Sequence, residues 1–206
     1  MKFRILFFTV LLCFAGLSLA AEPYVGVRYV HDGDTVVLAT GETLRYLGID
    51  APEMGRKGEK DRFMALESRN LNAHLLRNAR IRLEFDEERR DRYGRLLAYV
   101  FLDSGEMVNC LLIRKGLAFV LAAKPNMKYF SRLLDCQRQA MKERIGLWSR
   151  GPEKPEPFYM GNRNSYRFHR PDCSSGRRIA RPNRVRFDTW EQAYWEGFSP
   201  CRRCQP

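Results

Sequence analysis

The sequence is short of several kinds of residue, and each shortage excludes a class of protein. It has 6 cysteines in 206 residues, too few for a small scaffold held together by disulfides. After the N-terminus, no apolar run is long enough for a membrane-spanning helix, which needs about 20 residues. Acidic residues are the minority of the charges, 24 against 36 Lys and Arg, so the formal net charge is +12. This balance favours a polyanionic partner, with a merely soluble basic surface as the alternative.

The N-terminus has the pattern of a secretory signal peptide. Lys2 and Arg4 precede an apolar run over residues 5–17, and residues 18–20 read Ser-Leu-Ala, a cleavage pattern with small residues at both ends. The run is short for a membrane span, so a cleaved signal is favoured over an uncleaved anchor. We expect residues 1–20 to be removed and the mature protein to be secreted or periplasmic.

A proline-rich segment divides the rest of the chain. Residues 149–157 hold three prolines in nine residues and show no apolar periodicity, which is typical of a stiff, extended linker. The sequence therefore predicts a first domain over 21–150, a linker over 151–157 and a second domain over 158–206. Both predicted domains are basic, and no internal repeat is evident.

The first predicted domain combines short strands with three helices. Its β-branched and aromatic runs, punctuated by Gly-containing turns, predict strands over Tyr24–Val30, Asp34–Ala39, Thr43–Ile49, Arg80–Phe85 and Leu96–Leu102. Apolar residues at helical spacing predict helices over about 59–78, 107–115 and 129–145. A meander of three strands, a helix and two more strands suits a closed Greek-key barrel of the OB type, so we expect an α+β fold.

Charged residues cluster at the predicted strand ends of this domain. Asp34, Asp50 and Glu53 offer hard oxygen ligands for Ca²⁺ or a general base. Arg45 and Arg95 offer planar guanidinium groups for phosphate oxygens. Each motif taken alone is also compatible with an ordinary hairpin turn or a solvated charged turn. Together, however, they are what phosphodiester hydrolysis needs, because they neutralise the phosphate and activate a water.

The sequence resembles the staphylococcal nuclease (thermonuclease) family from Val25 to Trp148. The resemblance is carried by five motifs in order: His-Asp-Gly-Asp-Thr at 31–35, Arg-Tyr-Leu-Gly-Ile-Asp-Ala-Pro-Glu at 45–53, Asp-Arg-Tyr-Gly-Arg at 91–95, Val-Asn at 108–109 with Gly-Leu-Ala at 116–118, and Gly-Leu-Trp at 146–148. It implies an OB-fold barrel with three helices and a Ca²⁺-dependent nuclease that acts on DNA and RNA.

The resemblance also implies a role for each residue of the charged cluster. Asp34 and Asp50 would bind calcium together with the carbonyl oxygen of Ala51, and Glu53 would be the general base on the attacking water. Arg45 and Arg95 would bind the phosphate and its transition state. One departure concerns the bases: the best-known family member has two tyrosines before its Lys-Pro-Asn segment, whereas residues 121–123 here are Leu-Ala-Ala. Base preference and affinity for small nucleotides are therefore expected to differ.

The second predicted domain carries four residues with metal-ligand spacing. His169 and Cys173 have three residues between them, and Cys201 and Cys204 have two. Four soft or borderline ligands suit a closed tetrahedral zinc site, and a segment of about 50 residues needs such support because its own core is small. The alternative is that these cysteines form disulfides, as exported cysteines commonly do.

Residues 158–206 resemble the N-terminal metal-binding domain of the Ada methylphosphotriester repair proteins. The likeness is strongest over 183–187 and 193–206. His169 stands where that family has its methyl-accepting cysteine, so methyl transfer is not expected, and a small zinc-binding α+β domain is what remains. Its arginines could contact a DNA backbone or form a solvated basic surface; they include Arg163, Arg167, Arg170, Arg177 and Arg178.

These observations predict an exported calcium-dependent nuclease with a zinc-binding C-terminal domain that helps to hold DNA or RNA. The alternatives are a non-catalytic nucleic-acid-binding protein on the same barrel and a DNA-uptake accessory protein. No protein partner is evident from the sequence. Cys110 and Cys136 fall on two predicted helices, where a disulfide and two buried thiols are equally compatible with the sequence.

Overall fold

The computed structural model describes residues 24–55, 58–152 and 154–206. The predicted signal peptide over 1–20 lies outside these residues. Within the part of the chain that the structure describes, no helix is long and apolar enough to cross a membrane.

The first domain is built around a closed five-stranded barrel. Its elements are β1 (Val25–Val30), β2 (Thr35–Leu38), β3 (Thr43–Tyr46), β4 (Ile49–Asp50), α1 (Ala65–Leu76), β5 (Arg80–Glu84), β6 (Leu96–Phe101), α2 (Val108–Arg114), β7 (Phe119–Val120) and α3 (Phe130–Glu143). The strand order is β1-β2-β3-β6-β5, and β1 also pairs with β5. All barrel pairs are antiparallel except β3 with β6, which is parallel. The prediction of a barrel with three helices is confirmed.

Two predicted elements have different bounds in the structure. The predicted strand over 43–49 breaks after Tyr46, because Gly48 has a φ of 75° and a Cβ there would lie 2.5 Å from Leu133 Cδ1. The chain resumes as β4, which pairs with β7, a short strand that the sequence analysis did not predict. Helix α1 begins at Ala65 and not near residue 59, since Met64 has a left-handed φ of 65° that a helix cannot continue through.

The barrel is filled by one continuous hydrophobic cluster that extends from Val36 to Cys136. Buried amides tie the surrounding elements to it. Asn109 on α2 accepts a hydrogen bond from the backbone N–H of Val100 at 3.0 Å and donates one to the carbonyl oxygen of Leu47 at 2.8 Å. These bonds satisfy buried backbone groups at the point where β3 ends, and they hold the turn toward β4 in place.

A disulfide joins α2 to α3. Cys110 and Cys136 are bonded to each other, with their Cα atoms 5.9 Å apart. The structure therefore resolves the alternative that the sequence left open, in favour of the disulfide. The bridge closes a loop of 26 residues and fixes the two helices that pack on the barrel.

The C-terminal domain is a four-stranded sheet with two short helices. Its elements are β8 (Tyr159–Asn162), β9 (Arg167–His169), α4 (Ser174–Arg177), β10 (Arg184–Phe187), α5 (Trp190–Trp195) and β11 (Ser199–Pro200). The strand order is β10-β8-β9-β11, with β11 parallel to β9. Its buried cluster is small: Tyr159, Phe168, Phe187, Ala193 and Phe198.

The C-terminal domain packs directly on the barrel domain. Gln137 on α3 donates a hydrogen bond to the carbonyl oxygen of Tyr194 at 2.6 Å. The rings of Trp148 and Trp190 stack with 6.0 Å between centroids. Gly197 approaches α3 so closely that a Cβ would lie 2.7 Å from Phe130 Cζ. The proline-rich segment therefore connects two domains that share a packed interface.

Candidate active site and metal centre

The turn between β1 and β2 buries an aspartate against the loop that follows β4. Asp34 is 4% exposed, and its Oδ2 accepts a hydrogen bond from the backbone N–H of Ala51 at 2.6 Å. Asp32 caps the same turn, since its Oδ1 accepts from the N–H of Asp34 at 2.9 Å. The turn requires Gly33, because a Cβ there would lie 1.9 Å from Ser68 Oγ. The glycine thus lets the turn pack against α1 with Asp34 facing inward.

Arg45 on β3 joins two of the predicted site carboxylates. It is buried and forms ion pairs with Asp34 Oδ2 and, at 2.6 Å, with Asp50 Oδ1. Burial disfavours the charged guanidinium, but the charges of Asp34 and Asp50 outweigh it and raise the pKa of Arg45. The structure therefore brings Asp34, Arg45 and Asp50 together, as the sequence predicted.

Around Arg45, the buried carboxyl groups are more numerous than the buried guanidinium groups. Burial, together with the charges of Asp32 and Asp50, raises the pKa of Asp34 to about 7 even though Arg45 lowers it. Asp32, Asp34 and Asp50 are all buried, and the buried cation among them is Arg45. A carboxylate-rich site with uncompensated negative charge fits a hard cation such as Ca²⁺, whose preferred ligands are oxygen atoms.

The structure places the other two predicted catalytic residues in different surroundings. Glu53 is exposed and lines the same pocket as Asp50 and Ala51. Arg95 lies just before β6, where its Nε donates to Asp91 Oδ2 at 2.7 Å. Among the residues that the structure describes, the ion pair of Arg95 is with Asp91 and not with the carboxylates around Arg45. Glu53 is thus next to the cluster, while Arg95 belongs to a neighbouring turn.

A pocket of about 360 Å³ lies beside Glu53, and residues from both domains line it. Sequence reasoning missed the contribution of the C-terminal domain. Arg202 lies 3.4 Å from Asp50 Oδ1 through its Nη2, although 152 positions separate the two residues. The sequence signal for Arg202 was its place inside the Cys201–Cys204 motif, which says nothing about the barrel.

Four ligand-type side chains meet in the C-terminal domain. Ligand atoms of His169, Cys173, Cys201 and Cys204 all lie within 4.8 Å of one another. His169 Nδ1 is 3.4 Å from Cys173 Sγ, and the three cysteines are free. The predicted set is therefore assembled, and the disulfide alternative for these cysteines is not what the structure contains.

The surroundings of this cluster suit zinc. Burial, and then the charge of Arg167, lowers the pKa of His169, which favours the neutral ring that a metal needs. Burial disfavours the Cys173 thiolate, but hydrogen bonds from the backbone N–H groups of Gly176 and Ser175 help to lower its pKa below the usual value. A closed site of one imidazole and three sulfurs fits tetrahedral Zn²⁺.

The arginines of this domain divide into two groups. Arg170 donates to the carbonyl oxygens of Cys204 and Gln205, and it pairs with Glu156 at 2.6 Å. Arg167 donates to the carbonyl oxygen of Pro200 at 3.0 Å. Both therefore hold the metal-site loops together. Of the other arginines that the sequence analysis named, Arg163, Arg177 and Arg178 are exposed.

Comparison with known proteins defines the class to which this fold and site belong. Residues 43–150 match the family model described as "Staphylococcal nuclease homologue", and residues 147–206 match the "Metal binding domain of Ada". The chain belongs to the staphylococcal nuclease homologue family and carries an Ada-type metal-binding domain after it.

Individual relatives agree with this membership. The chain is 38% identical to "Thermonuclease" of Staphylococcus hyicus over 138 residues, which cover 66% of this chain and 81% of the relative. It is also 36% identical to "Endonuclease YncB" of Bacillus subtilis (strain 168) over 124 residues, which cover 58% of each chain.

Proposed function

We propose that the protein is an exported, calcium-dependent nuclease that hydrolyses phosphodiester bonds of DNA, RNA or both. The observation that carries the proposal is the buried arrangement of Asp34 and Asp50 around Arg45, with Glu53 exposed in the adjoining pocket. This arrangement occurs in a chain whose relatives are named as a thermonuclease and endonucleases.

The carboxylates have separate roles in the proposed reaction. Asp34 and Asp50, with the carbonyl oxygen of Ala51, would hold the calcium ion. When bound, Ca²⁺ would supply Lewis-acid stabilisation of the charge that develops on the phosphate. Glu53 would accept a proton from the water that attacks phosphorus, and its exposure in the pocket leaves it accessible to that water.

The two arginines would bind the phosphate oxygens. Arg45 is already held by two carboxylates, so its guanidinium is oriented before substrate arrives and little reorganisation is needed. Arg95 is oriented in a similar way by Asp91, which accepts hydrogen bonds from its Nε and its backbone N–H at 2.7 and 3.0 Å. Both would therefore act as preorganised cations on the transition state.

The C-terminal domain would bind zinc through His169, Cys173, Cys201 and Cys204 and would help to hold the nucleic acid. Zinc would supply the stability that a small aromatic core cannot provide. The exposed arginines of this domain favour contacts with the phosphate backbone, which carry affinity but no sequence information. His169 is an imidazole ligand and not a thiolate, so no methyl transfer is proposed.

Export and the domain boundaries are part of the same proposal. The signal-peptide pattern over 1–20 supports export, and the disulfide between Cys110 and Cys136 supports an oxidising compartment, secreted or periplasmic. The nuclease domain would span 21–150, the linker 151–157 and the zinc-binding domain 158–206. Limited proteolysis should cut first in 151–157; first cleavage inside either domain would refute these boundaries.

One assay tests the proposed reaction. The purified mature protein is incubated with single-stranded DNA, double-stranded DNA and RNA, each with Ca²⁺ or with EDTA. We expect hydrolysis with Ca²⁺ and none with EDTA. Full activity in EDTA would refute calcium dependence, and binding without hydrolysis under all conditions would favour the non-catalytic alternative.

A further inference from the structure

The pocket beside the candidate catalytic residues lies between the two domains. Glu53, Asp50 and Ala51 line it from the barrel, and the segment around Cys201 and Arg202 lines it from the C-terminal domain. Its volume of about 360 Å³ falls in the range of roughly 300–1,000 Å³ that is usual for small-ligand sites. A ligand in this pocket would therefore touch the proposed hydrolytic residues and the proposed zinc-binding loop at once.

Arg202 is the cation that the C-terminal domain contributes to this pocket. Its contact with Asp50 is long, at 3.4 Å, and its side chain is 70% exposed. The guanidinium is therefore anchored at one nitrogen, while its other N–H groups remain accessible to a ligand oxygen. Its neighbour Arg203 is also exposed but is not among the residues that line the pocket.

The remaining walls of the pocket are mostly aromatic and apolar, with Arg62 and Gln205 as the other polar residues. Phe63, Phe119 and Tyr194 line it, and all three are partly exposed. Phe119 and Tyr194 contact each other edge to face across the domain interface, with 5.5 Å between ring centroids. Such walls suit the flat apolar face of a nucleobase, which gains about 1–3 kcal/mol from stacking on an aromatic side chain.

These features together match one kind of ligand. A nucleotide has an apolar base and an anionic phosphate, which correspond to the aromatic wall and to Arg202. The pocket adjoins Asp50 and Glu53, where the proposed reaction would take place. An apolar peptide would match the wall but would leave the accessible N–H groups of Arg202 without a ligand oxygen.

We propose that the pocket between the domains is a subsite for one nucleotide next to the phosphodiester that is cleaved, with Arg202 as its phosphate ligand. This inference rests on the proposed nuclease function. It means that the C-terminal domain completes the substrate cleft. Because a base must leave the helical stack to enter the pocket, single-stranded nucleic acid should bind better than duplex.

Binding of a short single-stranded DNA oligonucleotide tests the role of Arg202. The measurement uses the full mature protein with Glu53→Gln, so that Kd is obtained with Ca²⁺ present and without turnover. Arg202→Ala should raise Kd by about 10-fold, as expected for a lost charge-assisted hydrogen bond. Arg203→Ala removes the same charge from the neighbouring position, which does not line the pocket, and should change Kd by less than about 2-fold, as usual for an exposed charge. Equal effects of the two variants would overturn the proposal.

An abasic scan tests the aromatic wall. Oligonucleotides with a single abasic residue at successive positions should show one position where loss of the base weakens binding by about 10-fold. Phe63→Ala should weaken binding of the intact oligonucleotide and remove the difference at that position. A scan with no sensitive position would overturn the subsite. Zinc content, measured for every variant, should equal that of the parent protein.

These measurements separate failure of the subsite from failure of the nuclease proposal. If the wild-type protein hydrolyses DNA with Ca²⁺ but Arg202→Ala and Arg203→Ala bind alike, the subsite is refuted and the nuclease stands. If the wild-type protein hydrolyses nothing but its binding depends on Arg202 and one base, the subsite stands and the hydrolytic function is refuted.

Discussion

The barrel domain buries a hydrophobic cluster that extends from Val36 to Cys136, whereas the C-terminal domain buries five residues around Phe168. The barrel domain also has a disulfide between its helices. The C-terminal domain instead has a set of His and Cys ligands and a packed interface with α3. The two domains therefore differ in what stabilises them besides their apolar cores.

Under the proposed function, the size of each apolar core determines the role of the metal that the domain would bind. The barrel tolerates a cluster of buried carboxylates at its rim, because burial of its large apolar core offsets the free-energy cost of their desolvation. The C-terminal domain is below the size at which a core alone gives stability. We therefore expect loss of calcium to stop the reaction with the fold intact, and loss of zinc to unfold the C-terminal domain.

The largest effect is expected from removing a zinc ligand. Cys201→Ser should abolish zinc binding and unfold residues 158–206, since structural zinc contributes about 10–16 kcal/mol in small zinc domains. Elemental analysis should fall from one zinc per chain to none, and hydrogen exchange should rise in 158–206 but not in the barrel. Ser175→Ala, in the adjacent helix α4, is the control and should keep its zinc. Retained zinc, or unchanged exchange in Cys201→Ser, would contradict the assignment.

Removing the proposed base should affect the reaction and leave both folds unchanged. Glu53→Gln should lower kcat by about 10²–10⁴-fold, as is typical when a general base is lost. Circular dichroism and the denaturation midpoint should match the wild type, because Glu53 is exposed. Glu59→Gln, in the same loop, serves as a charge-matched control with a small effect on kcat. Wild-type activity in Glu53→Gln would refute the role of Glu53.

The disulfide should stabilise the barrel without being needed for its chemistry. Replacing both Cys110 and Cys136 by Ser should lower the free energy of unfolding by about 3–4 kcal/mol, because the bridge closes a loop of 26 residues. Urea titration of the oxidised wild type and the variant measures the difference. In the presence of a reductant the two proteins should converge; a difference that persists under reduction would show that packing, and not the bond, is responsible.

The smallest expected effect concerns the interface between the domains. Arg138 on α3 donates to the carbonyl oxygen of Trp195 at 3.0 Å, so Arg138→Ala should cost about 1 kcal/mol. Arg132→Ala, on the same helix but exposed, is the matched control. The change should appear as earlier unfolding of the C-terminal domain, followed by tryptophan fluorescence. Equal midpoints for the two variants would show that this bond does not hold the domains together.

The sequence by itself determined the barrel, the acidic turns and the His and Cys ligands. Each depends on the spacing of residues that are near one another in the chain, and this spacing can be read directly from the sequence. Asp34 follows a glycine that its turn requires, and Cys201 and Cys204 are close because two residues separate them. The alternation of apolar and polar residues in strands, and the helical spacing of apolar residues, likewise indicate which face of an element is buried.

Tertiary structure alone decided which distant groups meet. It paired Cys110 with Cys136, placed β7 beside β4, and brought Arg202 to Asp50 across 152 positions of the chain. It also gave Arg95 an ion pair with Asp91 in the turn before β6. No local pattern encodes the contacts between distant residues, because they depend on how whole domains pack. The proline-rich segment predicted two domains, but the contacts of Gln137 on α3 and Phe119 on β7 with Tyr194 on α5 determined that they share one cleft.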